Sequence, residues 1–421
     1  VSFIIAAPAS GSGKTTVTLG ILRAFKNSGT PHRAAKSGPD YIDPRFHAHA
    51  SGQDCFNLDA WAMTPERIQG LSAGALPLII EGAMGLFDGA PPDGRGATAD
   101  LAKILKLPVV LVVDASRQAQ SIAALLHGFA TYDPKIEIAG VILNKVGSAR
   151  HEKILRRALQ HYPVLGAIPR HASLQVPSRH LGLVQAMEHP DLEAYLTQAA
   201  HLITAHVDLD ALSGLSVTAP TPPSGSQQRL TPPAQSIAIA QDASFAFAYP
   251  HLLNDWQDAG ATLQLFSPLN DDPVPKADLI YLPGGYPELY AAQISTNSCF
   301  LDSLSSAAEG TDIYGECGGY MVLGEHLIDA DGNRHQMAGL LDLETSFATR
   351  KLHLGYRHVQ ATHGPFAGNW AAHEFHYATT LRATGETLFQ AQDAEGTQLP
   401  AMGLRKGRVS GSFAHIIDRA Q

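Results

Sequence analysis

The sequence predicts an α/β chain of two domains in series, and three observations predict it. Short apolar runs ending in glycine, acid or amide residues alternate with helix-period segments, first at 3–7, 78–80, 107–113 and 140–143 and again at 237–240, 262–266 and 279–282. The chain has 421 residues, 45% of them hydrophobic, which is too long for one ordinary core. Between 208 and 235 the composition changes to a proline- and serine-rich stretch, including Ala219-Pro220-Thr221-Pro222-Pro223-Ser224-Gly225 and Thr231-Pro232-Pro233, that reads as an exposed linker. The expected domains are therefore 1–207 and 236–421, joined by 208–235.

The first element is the strand-like run Val1–Ala7, followed by Pro8-Ala9-Ser10-Gly11-Ser12-Gly13-Lys14-Thr15-Thr16 and then the helical pattern Val17, Leu19, Ile21, Leu22, Phe25. Strand, Gly-rich loop and helix are the context a P-loop needs, although the first glycine of the strict pattern is Pro8 here. Backbone amides of Gly11, Gly13 and Lys14 would cradle phosphate oxygens, with Ser12 and Thr16 in the same nucleotide-contacting set. Lys14 would reach the β and γ phosphates of ATP, and the Thr15 hydroxyl would bind Mg2+.

Later strands of this half end in acids or amides, where ligands gather in an open parallel sheet. Leu78-Ile79-Ile80-Glu81 makes Glu81 a magnesium candidate, with Asp88 on the Gly-rich loop beyond it. Asp114 ends the run 109–113 and reads equally as a ligand residue or as the N-cap of a helix over 116–126. Gly140-Val141-Ile142-Leu143-Asn144-Lys145 ends in a polar pair.

In the second half, a helix is expected around 249–259 and a strand at 262–266. Asp278-Leu279-Ile280-Tyr281-Leu282 reads as a buried strand entering the Gly284-Gly285 loop, whose amides, Gly285 foremost, could face an oxyanion. Ile313-Tyr314-Gly315-Glu316-Cys317-Gly318-Gly319 has the form of a nucleophile elbow, in which flanking glycines let strand and helix pass a strained central residue. Cys317 would then lie at a helix N-terminus, where thiolate is favoured. Val409-Ser410-Gly411-Ser412-Phe413-Ala414-His415 supplies a histidine as its base. In this order the three motifs resemble the class I glutamine amidotransferase domain, which implies a flavodoxin-like fold and hydrolysis of glutamine through a thioester. The usual glutamate two residues after the histidine is replaced by Ile417, with Asp418 one further on. The third, orienting member is thus left open, and Cys317 with His415 as a dyad fits the cobyrinate-type branch.

Two further resemblances concern the first half. Partition-type ATPase switches carry an extra lysine at the position of Ala9, so the P-loop is closer to the dethiobiotin-synthetase-like ligases; in those relatives an asparagine such as Asn144 reads the nucleotide base. The loop Lys36-Ser37-Gly38-Pro39-Asp40-Tyr41-Ile42-Asp43-Pro44-Arg45-Phe46-His47 is poor helix or strand material. Taken with the P-loop, the loop after Glu81, and the segments 354–357 and 373–377, it resembles the cobyrinic or hydrogenobyrinic acid a,c-diamide synthases of cobalamin biosynthesis.

The resemblance implies an enzyme that hydrolyses glutamine at Cys317, passes ammonia to the first domain, and amidates two peripheral acetates of a corrinoid through acyl phosphates made from ATP. It implies Asp40 as a further magnesium candidate or a group for the ammonia nucleophile. It maps Asp40, Tyr41, Ile42 and Asp88 near the reacting acetates, with Tyr41 and Ile42 as wedges that choose which acetate reacts. Arg45, Arg357 and His376 are the cations that would bind the polyanionic substrate. Rival readings on related scaffolds are nickel-sirohydrochlorin a,c-diamide synthase and cobyric acid synthase; a P-loop switch of the partitioning type is the rival of another class.

A formal net charge of −9 without a basic stripe disfavours nucleic acid as a partner. Cys55, Cys299 and Cys317 are too few and too scattered for a disulfide framework or a zinc site, and point to a reducing, cytoplasmic setting. The apolar runs are shorter than the ~20 residues a membrane span needs, and the opening run reads as a core strand and not as a signal peptide. The partners expected are the corrinoid, glutamine and ATP, with a homodimer left open.

Overall fold

The structure, a computed structural model, describes residues 2–171, 178–179, 182–183, 185–188, 191–215 and 229–420. The chain divides into two compact units, Val1–Gln228 and Arg229–Gln421. Within the stretch read as linker, Leu209–Ser213 forms a short helix capped by Asp208, while 216–228 lie outside the described residues.

In the first unit, strands β1 (Phe3–Ala6), β2 (Arg33–Ser37), β3 (Cys55–Leu58), β4 (Leu78–Glu81), β5 (Val109–Asp114), β6 (Ile138–Val146) and β7 (Val164–Pro169) form one sheet in the order β3-β2-β4-β1-β5-β6-β7. Every neighbouring pair in it is parallel. Such a sheet is covered on both faces, which is why its strands read as continuous apolar runs without alternation. Helix α1 (Lys14–Asn27) follows β1 and packs on Leu192–His206. Gly20 permits that approach, since a Cβ there would lie 2.4 Å from Ile203 Cγ1.

Register decides what meets at the carboxyl end. Glu81 stands beside Ile5 of β1 and beside Lys36 of β2, while Asp114 stands beside Asn144. The helix expected over 116–126 instead occupies Ile122–Tyr132. Asp114 does not cap it: one oxygen accepts the Ser116 amide and the other the Lys145 ammonium, at 2.9 and 2.6 Å.

The second unit is built on a ten-stranded mixed sheet. Its parallel part runs Thr262–Phe266, Ser236–Ala240, Leu279–Leu282, Asp312–Glu316, Val409–Ser412. It continues antiparallel through Gln398–Lys406, Glu386–Asp393, His353–Ala361, Gly368–His376 and Ala414–Arg419. The helix expected around 249–259 is Pro250–Asp258. A smaller four-stranded sheet includes His326–Ile328 and Leu343–Ser346. The three cysteines are free thiols. Among the described residues no helix is long and apolar enough to cross a membrane.

Candidate active sites

Gly11 and Gly13 take left-handed backbone angles, φ +79° and +88°, which turn the loop after β1 so that α1 can begin at Lys14. A side chain at Gly13 would also collide with Asn144, whose Nδ2 lies 2.3 Å from the Cβ position. The loop opens on a cleft of about 760 Å³ lined by Lys14, Thr15, Lys36, Glu81, Asn144 and Arg170 among others. Its size suits a nucleotide. Lys14 donates to the Met84 carbonyl at 2.6 Å, so the loop after β4 folds over the phosphate loop. Burial lowers the proton affinity of Lys14, partly offset by Glu81.

Beneath this loop is a buried ionic cluster. Lys36 Nζ donates to Asp43 Oδ2 at 2.7 Å and to Glu81 Oε1 at 2.9 Å, and Asp40 is 3.9 Å away. His47 Nε2 contacts the other oxygen of Glu81 at 2.5 Å. The Thr15 hydroxyl donates to Glu81 Oε1 at 2.7 Å and is 3.5 Å from Asp43 Oδ2. Burial alone would strip the charge from Lys36, but Asp43 and Glu81 outweigh it and hold the ammonium protonated. Burial likewise opposes ionisation of Glu81, and Lys36 and His47 reverse it, keeping this carboxylate well below its usual range. His47 gains proton affinity from Glu81 despite its burial. Thr15, Glu81 and Asp43 thus present converging hard oxygen donors, the set a magnesium ion takes.

In the second unit Cys317 sits between strand Asp312–Glu316 and helix Gly318–Leu323 with φ +48°, a strained angle for a residue with a side chain. The glycines make the turn possible: a Cβ on Gly319 would lie 1.9 Å from the Leu282 carbonyl, and one on Gly315 2.7 Å from Gly319. The helix has only six residues, so its dipole is short, and the imidazole of His415 interacts with the thiol. A Cβ on Gly284 would lie 2.4 Å from His415 Cε1, and one on Gly318 2.9 Å from the Gly285 amide nitrogen. The Gly284-Gly285 loop therefore borders both members of the pair. His415 Nδ1 lies 3.2 Å from Glu316 Oε1. Burial disfavours the imidazolium, but Cys317 and Glu316 overcome it and push its pKa up to about 10.

Two domain families match the chain: the CobQ/CobB/MinD/ParA nucleotide binding domain over residues 3–184 and the CobB/CobQ-like glutamine amidotransferase domain over 236–421. Curated relatives span its whole length. The hydrogenobyrinate a,c-diamide synthase of Brucella anthropi is 55% identical, with 99% of this chain and 98% of that protein covered. Those of Rhizobium meliloti and Rhodobacter capsulatus are 51% and 49% identical at similar coverage. The chain belongs to the hydrogenobyrinate a,c-diamide synthase family.

Several residues singled out from the sequence of this synthase-family member stand differently in the fold. Asp40 Oδ1 accepts the amides of Ile42 and Asp43, which makes it the anchor of its own turn. Burial and the neighbouring Asp43 raise its pKa to about 7. Of the acids in this loop, Asp43 has an oxygen 3.5 Å from the Thr15 hydroxyl. Asp88 Oδ2 accepts the Gly85 amide and shapes the loop after β4. Asn144, read as a base-recognising residue, donates through Nδ2 to the Ser12 carbonyl and braces the phosphate loop. Arg357 and His376, read as cations for the substrate, both bind Glu374, at 2.8 and 3.0 Å. His376 also stacks on Phe413, and burial lowers its proton affinity. Arg45 is half-buried, and burial lowers its proton affinity while Asp54 opposes the shift.

His353, Glu374 and His376 form a group with metal-ligand spacing. The two imidazole rings are stacked, 7° from parallel with centroids 4.6 Å apart.

Tyr41 and Ile42, read as wedges facing the macrocycle, are only 7% and 5% exposed. Tyr41→Ala and Ile42→Ala are expected to cost about 2–4 kcal/mol of stability and to lower amidation at both acetates together. Thermal unfolding and a time course of mono- and diamide check this; a changed product ratio at unchanged stability would restore the wedge reading.

Sequence reasoning assigned no role to Lys36, Asp43, His47 or Glu316. Lys36 carried a weak signal: a lysine one residue before the end of the short strand that leads into the Gly38-Pro39-Asp40 loop.

Proposed function

We propose that the protein amidates two acetate carboxylates of hydrogenobyrinic acid, using ATP and glutamine. One observation carries the reading: a single chain holds a phosphate loop over a buried Lys36–Glu81–Asp43 cluster in one unit and a Cys317–His415 elbow in the other. A nucleotide site alone would serve many enzymes, but joined to a glutamine-cleaving thiol it fits ATP-dependent amidation. The substrate is taken from relatives 49–55% identical over the whole chain, which are hydrogenobyrinate a,c-diamide synthases.

At the elbow, the Cys317 sulfur attacks the glutamine carboxamide carbon after its proton passes to His415. His415 returns the proton to the departing ammonia, and water cleaves the thioester to glutamate. The backbone amides of Gly285 and Gly318 are the donors for the tetrahedral oxyanion, since the Gly319 amide is taken by the Pro283 carbonyl at 3.1 Å. In the other unit the acetate oxygen attacks the γ-phosphorus of ATP and ADP leaves. Ammonia then displaces phosphate from the acyl carbon, losing a proton as the amide forms. Lys14 and Lys36 supply positive charge beside the transferring phosphoryl group. Thr15, Glu81 and Asp43 would hold Mg2+, which would offset charge on the phosphate oxygens.

The test is incubation with hydrogenobyrinic acid, cobyrinic acid or nickel-sirohydrochlorin together with ATP, Mg2+ and glutamine, counting amides by mass spectrometry. Two amides on hydrogenobyrinic acid are expected. Exclusive turnover of either metal-containing macrocycle would overturn the substrate assignment.

A further inference from the structure

We propose that Glu316, the residue immediately before the nucleophile, orients His415 and completes a Cys317–His415–Glu316 triad in which the acid comes from the nucleophile's own strand. In the usual order the acid follows the histidine by two residues on the last strand, and here that position is Ile417. The Ile417 carbonyl instead accepts His251 Nε2 at 2.8 Å.

Three observations place Glu316 in the role. It and His415 are both fully buried, and Oε1 is 3.2 Å from His415 Nδ1. Strand pairing fixes that approach: Glu316 stands beside Ser412, and only Phe413 separates that strand from Ala414–Arg419, which carries His415. The carboxylate is also clamped, taking the Tyr281 hydroxyl on Oε1 and the Ile416 amide on Oε2, both at 3.1 Å. A buried acid held at two points while one oxygen faces an imidazole nitrogen can fix the ring's tautomer and stabilise the imidazolium formed when the thiol gives up its proton. Nδ1 directed at Glu316 leaves Nε2 for the sulfur. Glu316 is a positioning residue, since it acts through His415 and not on glutamine.

The inference rests on the glutaminase reading, and the experiment separates the two. In the full-length protein, Glu316→Gln keeps the shape of the side chain and removes its charge. Glutaminase kcat is expected to fall by about 10²- to 10⁴-fold, with amidation driven by ammonium chloride near the wild-type rate. The alkaline limb of glutaminase kcat/KM should also move down by about one pH unit or more, because an imidazolium deprived of its carboxylate loses its proton earlier. The other titratable groups facing His415, namely Cys317, His373 and His376, are unchanged by the substitution. A purely structural role would lower activity at every pH and leave the limb in place, and that result would overturn the proposal. So would glutaminase activity within about threefold of wild type.

Wild-type protein without glutaminase activity would instead remove the underlying reading. If Glu316→Gln does not fold, Glu316→Asp and Tyr281→Phe decide. The aspartate retains charge at shorter reach and should keep the alkaline limb nearer wild type while lowering kcat. The phenylalanine removes one clamp and should cost less than about tenfold. Tyr281→Phe more damaging than Glu316→Asp would count against an orienting carboxylate.

Discussion

Cys317→Ala should abolish glutamine-dependent amidation, by on the order of 10⁴-fold or more, while ammonium chloride still supports formation of the diamide. The residue stands at φ +48° in a turn whose neighbours are glycines because a Cβ at those positions would strike backbone. Alanine keeps the Cβ already tolerated at 317, so the turn should survive and only the sulfur is lost. His415 then has no thiol to deprotonate, and no thioester forms. The ATP cluster draws on residues of the first unit alone, so amidation from free ammonia should proceed. Mass spectrometry of the corrinoid with glutamine or with ammonium chloride distinguishes the outcomes. Loss of both reactions in a folded Cys317→Ala protein would show that the thiol is not confined to glutamine cleavage.

The parts legible in the sequence were those written in local pattern. The strands of the first unit are buried on both faces and so stand out as apolar runs. The phosphate loop and the Cys317 elbow show themselves because glycine is required wherever backbone passes backbone, as Gly319 does at the Leu282 carbonyl. What stayed hidden depends on register and on side-chain direction. Glu316 reads as one polar residue in a glycine-rich turn until the pairing with Val409–Ser412 brings His415 to it. In the loop after β2, composition identified acids and aromatics but not which of them face the cleft. Asp40 spends an oxygen on its own turn, Asp43 reaches Thr15, and Tyr41 and Ile42 point inward. Arg357 and His376 looked like free cations because the sequence does not show that Glu374 takes both.

Lys36 is where that hidden register has its largest consequence. Pairing of β2 with β4 sets it beside Glu81, and its ammonium bridges Glu81 and Asp43 with Asp40 close by. Lys36→Met fills similar space but leaves three acids facing only His47 and Lys14. Breaking such a buried pairing costs about 3–5 kcal/mol, so a lowered unfolding temperature is expected. Amidation should fall by about 10³-fold or more with glutamine and with ammonium chloride alike, because the phosphoryl group loses a fixed positive charge. Glutaminase activity should persist, since its residues lie in the other unit. A second readout separates chemistry from instability. With the competing ammonium gone, Glu81 Oε1 and Asp43 Oδ2 lose their shared cation, and magnesium chloride without ATP should raise the unfolding temperature of Lys36→Met more than that of wild type. Equal magnesium responses would mean that Lys36 does not share its carboxylates with a cation. Wild-type amidation from ammonia in a folded Lys36→Met protein would take the residue out of the phosphoryl-transfer step altogether.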